Sequence, residues 1–252
     1  MGKIISVANQ KGGVGKTTTT VNLSAGLGQL GKKVLVVDID PQGNTTSGYG
    51  VDKRAVTKST YDILVDDVSP AEVIVETEFS GVDILPANLN LAGVEIEIIE
   101  QDARHLKLKK ALDTVKAHYD YIIIDCPPSL GLITINAFCA SDSVLVPIQC
   151  EFFALEGLSQ LMSTVKRVKT GYNPSLEVEG VLLTMYDGRL NLTQQVVSEV
   201  KRFFPRKVFK SVIPRAVRIS EAPSFGRPVM YYDKSSKGSK AYLALAKEVC
   251  GR

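Results

Sequence analysis

The stretch Lys11-Gly12-Gly13-Val14-Gly15-Lys16-Thr17-Thr18 has the residue types needed to hold a chain of phosphates. Closely spaced glycines let successive backbone N–H groups turn inward around phosphate oxygens, and a helix opening at Lys16-Thr17 adds the positive end of its dipole. Lys16 is placed to reach the β- and γ-phosphates of a nucleoside triphosphate, and the Thr17 hydroxyl to ligate Mg²⁺. The aliphatic run 4–8 supplies the strand that such a loop follows. The usual spacing puts a glycine six residues before the lysine; here that position is Gln10, and Lys11 lies inside the loop. A second cation beside Lys16 is costly unless dense negative charge offsets it. Lys11 therefore serves its own phosphates or those bound by another subunit, since a lysine at the start of the loop can project away from its own pocket.

Two further stretches end in carboxylates that suit the same chemistry. Tyr121-Ile122-Ile123-Ile124-Asp125 reads as a buried strand that places Asp125 to hold a water of the Mg²⁺ shell. The run from Val34 ends in Asp38 and Asp40, which alternate by two and project the same way. One can face the metal shell while the other, nearer the loop, orients a water on the γ-phosphate. An aspartate at a strand end also commonly caps the next turn; beside a phosphate loop the metal-and-water reading carries more of the chemistry.

The elements that must position these groups alternate along the chain. Aliphatic, β-branched runs at 4–8, 34–38, 82–85, 121–125, 143–147, 180–184 and 208–213 read as strands, several without polar alternation, as in a parallel sheet covered on both faces. Helical patterns fall at 17–30, 91–101, 103–118, 130–140, 155–169, 192–204 and 240–249. The order predicts an α/β fold: one domain over residues 1–252, with a doubly wound, mostly parallel sheet flanked by helices. Ligands of such sheets bind at the carboxyl ends of the strands, so the loops that begin near residues 9, 38, 125, 149, 185 and 214 should assemble the functional surface.

Composition bounds the rest. No run approaches the roughly 18 apolar residues of a membrane span, and Cys126, Cys139, Cys150 and Cys250 stand apart without metal-ligand spacing, which reads as reduced cytosolic thiols. The net charge of +3 hides a polarity: residues 1–165 carry 13 Lys+Arg against 20 Asp+Glu, a net of −7, and residues 166–252 carry 17 against 7, a net of +10. A basic C-terminal third on an acidic body implies a surface for a polyanion, nucleic acid or anionic membrane, unless it is only a solvated face.

With these residues in hand, the sequence resembles the ParA/MinD ATPases with deviant Walker motifs. The resemblance rests on residues 11–18, on Asp38-Ile39-Asp40-Pro41-Gln42-Gly43-Asn44 and on Asp125-Cys126-Pro127-Pro128-Ser129. The stretches 149–159, 180–185 and 212–224 narrow it to the small chromosomal ParA (Soj) group, over about residues 2–250. The resemblance implies an ATP- and Mg²⁺-dependent sandwich homodimer with slow, partner-stimulated ATP hydrolysis. In it Lys11 would reach the partner subunit's nucleotide, Lys16 would act on the phosphates, Thr17 would bind Mg²⁺, Asp40 would position the attacking water, and Asp38 and Asp125 would act through the metal shell. Gly12, Gly13, Val14, Gly15 and Thr18 would complete the phosphate cradle and Pro214 would contact adenine; Ala216 stands where many relatives carry an asparagine, so base selectivity falls to backbone groups.

The resemblance further implies nonspecific binding of double-stranded DNA, a ParB-type centromere-binding partner, a role in chromosome or plasmid partitioning, and a cytoplasmic, nucleoid-associated location. The cations available for phosphate contacts are Arg189, Lys201, Arg202, Arg206, Lys207, Lys210, Arg215, Arg218, Lys234, Lys237, Lys240 and Lys247. The competing reading is a MinD-like membrane positioner, which needs a terminal amphipathic helix with bulky apolar residues; the pattern at 240–249 has only Ala, Leu, Tyr and Val with Glu248, and suits a helix docked on the sheet. An iron–sulfur reductase would need paired interfacial cysteines, and a kinase has no support in the sequence.

Overall fold

The computed structural model describes residues 2–151 and 154–252, with the backbone alone at 154–156. In chain order the elements are β1 (Lys3–Val7), α1 (Lys16–Gln29), β2 (Val34–Asp38), α2 (Asn44–Gly48), α3 (Thr60–Val65), β3 (Val75–Glu76), β4 (Val82–Leu85), α4 (Val94–Glu97) and α5 (Lys107–Asp113). There follow β5 (Tyr121–Asp125), α6 (Leu132–Ala140), β6 (Ser143–Gln149), α7 (Ala154–Gly171), β7 (Glu177–Thr184), α8 (Asn191–Phe203), α9 (Val217–Glu221), α10 (Val229–Tyr232) and α11 (Lys237–Cys250). The seven strands form one sheet in the order β3-β4-β2-β5-β1-β6-β7, parallel except for the short edge strand β3.

Alternate residues of the buried strands feed two cores, one on each face. Leu35 and Val37 enter one with Ile122, Ile124 and Phe138; Val34 and Val36 enter the other with Leu23, Leu27 and Tyr242. This is why the strands read as unbroken aliphatic runs. The second core is closed by α11, which lies on α1 so closely that a Cβ at Gly26 would come within 3.0 Å of Ala246.

The expected single-domain α/β architecture is the one found, with three local corrections. Residues 208–213 are not a strand of the sheet: Val208 and Phe209 pair with Val181, but the N–H groups of Lys210 and Ser211 donate to the Glu248 carboxylate and the ladder stops. The helical patterns at 91–101 and 103–118 are broken into 3₁₀ turns and the short helices α4 and α5. Ala103 adopts a left-handed φ of 52° between them, and the Asn136 side chain holds Leu108 N–H and the Arg104 carbonyl, so tertiary contacts overrule the periodicity. Strand β3 has no sequence signal beyond two residues.

Strand register decides where the chemistry meets. Asp38 and Asp125 are direct neighbours at the last rung of β2 and β5, and Val7 of β1 pairs with Asp125 on its other side. With strands about 4.8 Å apart, the loop leaving β1 and both carboxylates emerge together.

Candidate nucleotide and metal site

The loop between β1 and α1 is pinned from behind. Asn9 donates its side-chain amide to the Pro147 carbonyl (2.7 Å) and accepts from Lys11 N–H (3.0 Å). Thr184, at the end of β7, donates its hydroxyl to the Val14 carbonyl (2.8 Å). The trans Val14–Gly15 peptide therefore points its N–H away from Thr184. Gly13 and Gly15 have φ of 75° and 88°, a conformation that side chains oppose. A Cβ at Gly12 or Gly13 would meet nothing within 4 Å, so the space beside both is open. Helix α1 starts at Gly15 with no side-chain cap, which leaves its first N–H groups for an anion.

Lys16 is buried and folds back so that Nζ donates to the Lys11 carbonyl (3.1 Å). Desolvation pulls its pKa below the usual lysine value, against the opposing pull of Asp125 and other nearby anionic groups. A bound polyphosphate would relieve that cost directly. Lys11 goes the other way: its Nζ pairs with Glu151 at 2.6 Å, outside the loop. Two lysines of one loop thus face different spaces.

Asp125 accepts from Thr17 Oγ1 (2.8 Å), Thr45 Oγ1 (2.7 Å) and Thr20 Oγ1 (3.3 Å). Asp38 accepts from Thr46 N–H (2.8 Å) and Thr46 Oγ1 (2.7 Å) through one oxygen, and from Asp40 N–H (3.2 Å) through the other. Both are fully buried. Burial, with the neighbouring Asp125 charge, pushes Asp38 up to about 7, and burial pushes Asp125 up to about 6 against its threonine hydrogen bonds. Two desolvated carboxylates at one sheet level are a standing electrostatic cost that a divalent cation offsets. Asp40 lies two residues beyond the strand and uses Oδ1 to accept Gln42 N–H (3.0 Å). Asp38 and Asp40 therefore diverge in duty: the first braces the loop that carries the second.

The carboxylates and Thr17 fit Mg²⁺ better than a softer metal. Among the described residues no three His, Cys, Asp or Glu side chains converge as a protein-only metal cage, and all four cysteines are free. A hydroxyl and carboxylates beside an open phosphate cradle match an ion that keeps several waters and takes the rest of its shell from phosphate oxygens. Next to the cradle, a cavity of about 300 Å³ is lined by Gly15, Thr18, Thr184, Met185, Pro214 and Ala216, among others. Its size and mostly apolar wall could take a nucleoside; Pro214 is part of that wall, and Ala216 offers no side-chain hydrogen bond there.

Sequence reasoning missed the threonines. Thr20, Thr45, Thr46 and Thr184 supply most of the hydrogen bonds that set the loop and the carboxylates, and only the run Asn44-Thr45-Thr46 after the acidic loop hints at them. The twelve cations named above as candidates for phosphate contacts are all exposed. Arg189 pairs with Asp187, Arg202 with Glu199, and Arg218 with Glu221 and Asp233; the other nine make no ion pair among the described residues. Part of the expected stretch 149–159, namely residues 152–153, lies outside the described residues.

Comparison with known proteins agrees with this geometry. An AAA-domain family model matches residues 2–178. The chain is 59% identical over 249 residues to the sporulation initiation inhibitor protein Soj of Bacillus subtilis, covering 99% of this chain and 98% of that one. It is 51% identical to the chromosome partitioning protein ParA of Myxococcus xanthus, covering 100% and 89%. Among solved structures, cobyrinic acid a,c-diamide synthase of Mycobacterium smegmatis superposes with a TM-score of 0.86 at 37% identity, covering 98% of this chain and 93% of that one; it was solved with ADP and magnesium and also with an ATP analogue and magnesium. A phosphate loop on a strand-to-helix turn, two carboxylates at its side and relatives of this identity along the whole chain lead to one assignment: the protein belongs to the Soj/ParA family of chromosome-partitioning P-loop ATPases.

Proposed function

We propose that the chain is an ATP-dependent dimerising ATPase that binds double-stranded DNA without sequence preference, acts in chromosome or plasmid partitioning from a nucleoid-associated cytoplasmic pool, and is stimulated by a ParB-type centromere-binding protein. The observation that carries this reading is the division of labour between Lys16, folded into its own loop, and Lys11, turned out to Glu151. Lys16 holds the β- and γ-phosphates of its own nucleotide, with the N–H groups of Gly12, Gly13, Gly15 and Thr18 around them. Thr17, whose hydroxyl now donates to Asp125, would hold Mg²⁺ directly, and Asp125 and Asp38 would hold it through water. Bound Mg²⁺ supplies the charge that neutralises the β- and γ-phosphate oxygens. Asp40 orients the attacking water, and Lys11 leaves Glu151 to reach the partner subunit's phosphates.

Lys11→Ala is expected to bind ATP with near-normal affinity and to stay monomeric with ATP. Light scattering with and without nucleotide checks it, and an intact ATP-dependent dimer in that variant would assign Lys11 to its own pocket.

The exposed basic third supports DNA as the polyanion. Helix α11 supports it over a membrane, because Tyr242, Leu245, Ala246 and Val249 are buried against the core and leave no apolar stripe to insert. Co-sedimentation with DNA and with anionic liposomes, each with ATP, ADP or no nucleotide, is the test. DNA binding should need ATP, ignore sequence and fall steeply with salt, with log K losing about 0.9 of slope against log[salt] for each phosphate contact removed. Arg189→Glu combined with Arg218→Glu should weaken DNA binding and leave the ATP dimer intact. Liposome binding without DNA binding would favour the membrane reading.

A further inference from the structure

The segment after β4 exposes more apolar surface than its neighbours. Leu89, Ile96 and Ile99 are 71%, 78% and 57% exposed, while Leu91, Val94 and Ile98 between them are fully buried. The chain here runs as a 3₁₀ turn (Leu89–Gly93), α4 and a closing turn. Leu91, Val94 and Ile98 anchor the segment, and Leu89, Ile96 and Ile99 face away from the core and make its outward apolar stripe. Residues 88–103 also carry Glu95, Glu97, Glu100 and Asp102 with no Lys or Arg. An outward apolar stripe whose only charged neighbours in the segment are carboxylates is not a solvated face of the ordinary kind.

The segment is tied to the nucleotide site at its start and to the first turn of α6 at its middle. At its start, Ala87 N–H donates to Thr46 Oγ1 (2.9 Å), whose own proton goes to Asp38 (2.7 Å). Further on, Glu95 accepts from Ile133 N–H (3.4 Å) at the first turn of α6 and fills the space beside Gly131, at the end of the loop that leaves Asp125. Tyr61 of α3 fixes Glu97 by donating its hydroxyl (2.6 Å). A ligand that shifts this segment therefore has one hydrogen-bonded route to Asp38, through Thr46, and a contact with the start of α6, which follows the loop leaving Asp125.

We infer that the stripe Leu89, Ile96 and Ile99 docks the apolar face of a basic amphipathic helix belonging to the protein that activates hydrolysis. The inference rests on the partner-stimulated ATPase proposed above and names where and by what chemistry the partner is read. The occupant follows from charge complementarity: the carboxylate rim repels DNA and anionic lipid, attracts lysines and arginines, and the stripe needs an apolar counterpart. A second copy of the chain is the competing occupant, since α8 carries exposed Leu192 and Phe203 beside Lys201 and Arg202. That contact would be head-to-tail and would build open polymers in place of a closed dimer.

The test uses the full chain, wild type and the double variant Ile96→Ser/Ile99→Ser, whose exposed positions tolerate the change. The first probe is a synthetic helical peptide with leucines on one face and lysines and arginines on the other, beside a scrambled peptide of the same composition. Fluorescence anisotropy should show the ordered peptide binding wild type at least tenfold more tightly than the double variant, and more tightly than its scrambled control. Glu97→Lys/Glu100→Lys should weaken it as well, with a reduced dependence on salt. The second measurement is ATP turnover with the purified ParB-type protein: basal turnover should be equal in wild type and Ile96→Ser/Ile99→Ser, and stimulation should be lost in the variant. Equal peptide affinity in wild type and variant overturns the docking site, whatever the partner does. Loss of the ATP-dependent dimer in the variant, or wild-type polymers that the variant lacks, gives the stripe to a second copy and also overturns it. If the partner fails to stimulate wild type, the functional reading fails on its own, and the peptide arm still decides the surface.

Discussion

Lys16→Ala should abolish ATP binding at micromolar concentrations while leaving the fold at least as stable as the wild type. The ammonium is buried among backbone groups and desolvated, with its pKa pulled down by that burial. Losing a desolvated charge contact to phosphate costs about 2–5 kcal/mol, or about 30- to 4,000-fold in affinity at about 1.4 kcal/mol per tenfold. The apo protein responds in the opposite sense, because a buried cation without a full partner is itself a cost. Titration calorimetry and a thermal melt on the same sample separate the two. An unfolded variant would leave a loss of binding without meaning; a folded variant with wild-type ATP affinity would remove Lys16 from the phosphate site.

Asp40→Ala should produce the reverse phenotype: ATP and Mg²⁺ bound, dimer formed, chemistry stopped. Asp40 sits beyond β2 on a loop that Asp38 braces, through the Asp40 N–H bond and through Thr46. Its Oδ1 holds Gln42 N–H, and Oδ2 has no partner among the described residues, so one oxygen stays available to orient a water. Removing a group that positions or deprotonates the nucleophile typically costs about 10²–10⁴-fold in rate. Phosphate release in a single turnover should fall by that factor, and light scattering should show an ATP dimer that persists. Unchanged turnover would move the role to Asp38, whose oxygens would then have to leave Thr46. That alternative has its own signature: Asp38→Ala removes acceptors from three N–H and O–H groups, so a folding defect should accompany any catalytic one.

The two stimulatory inputs proposed for the protein meet the same carboxylates from different sides. In the proposed dimer, Lys11 would leave Glu151 for the partner subunit's phosphates. The docking stripe acts on the Asp38 brace and on the loop after Asp125. The Lys11–Glu151 pair, about a third and a half exposed, is of the class worth about 1 kcal/mol or less, so it is easily given up.

What the sequence determined is the chemistry that local spacing encodes. Glycine and lysine spacing at 11–18 dictates backbone torsions and donor directions within a few residues, and aliphatic runs ending in Asp38 and Asp125 dictate strands with carboxylates at their tips. The parallel, two-faced sheet was legible for the same reason, whereas the adenine role of Pro214 came only from the family resemblance. The tertiary structure alone decided what those tips meet. The order β2-β5-β1 puts Asp38, Asp125 and the phosphate loop on neighbouring strands at one level. Thr184 reaches Val14 across 170 residues, and Glu151 reaches Lys11 across 140. Periodicity also failed where distant groups competed for the backbone: Glu248 took the N–H groups that residues 208–213 would have given a strand, and Asn136 held a broken turn where an unbroken helix was expected. Hydrophobic patterning fixes which face of an element is buried; it carries no information about which remote polar atom will satisfy a given N–H, and at this site those remote atoms set the geometry.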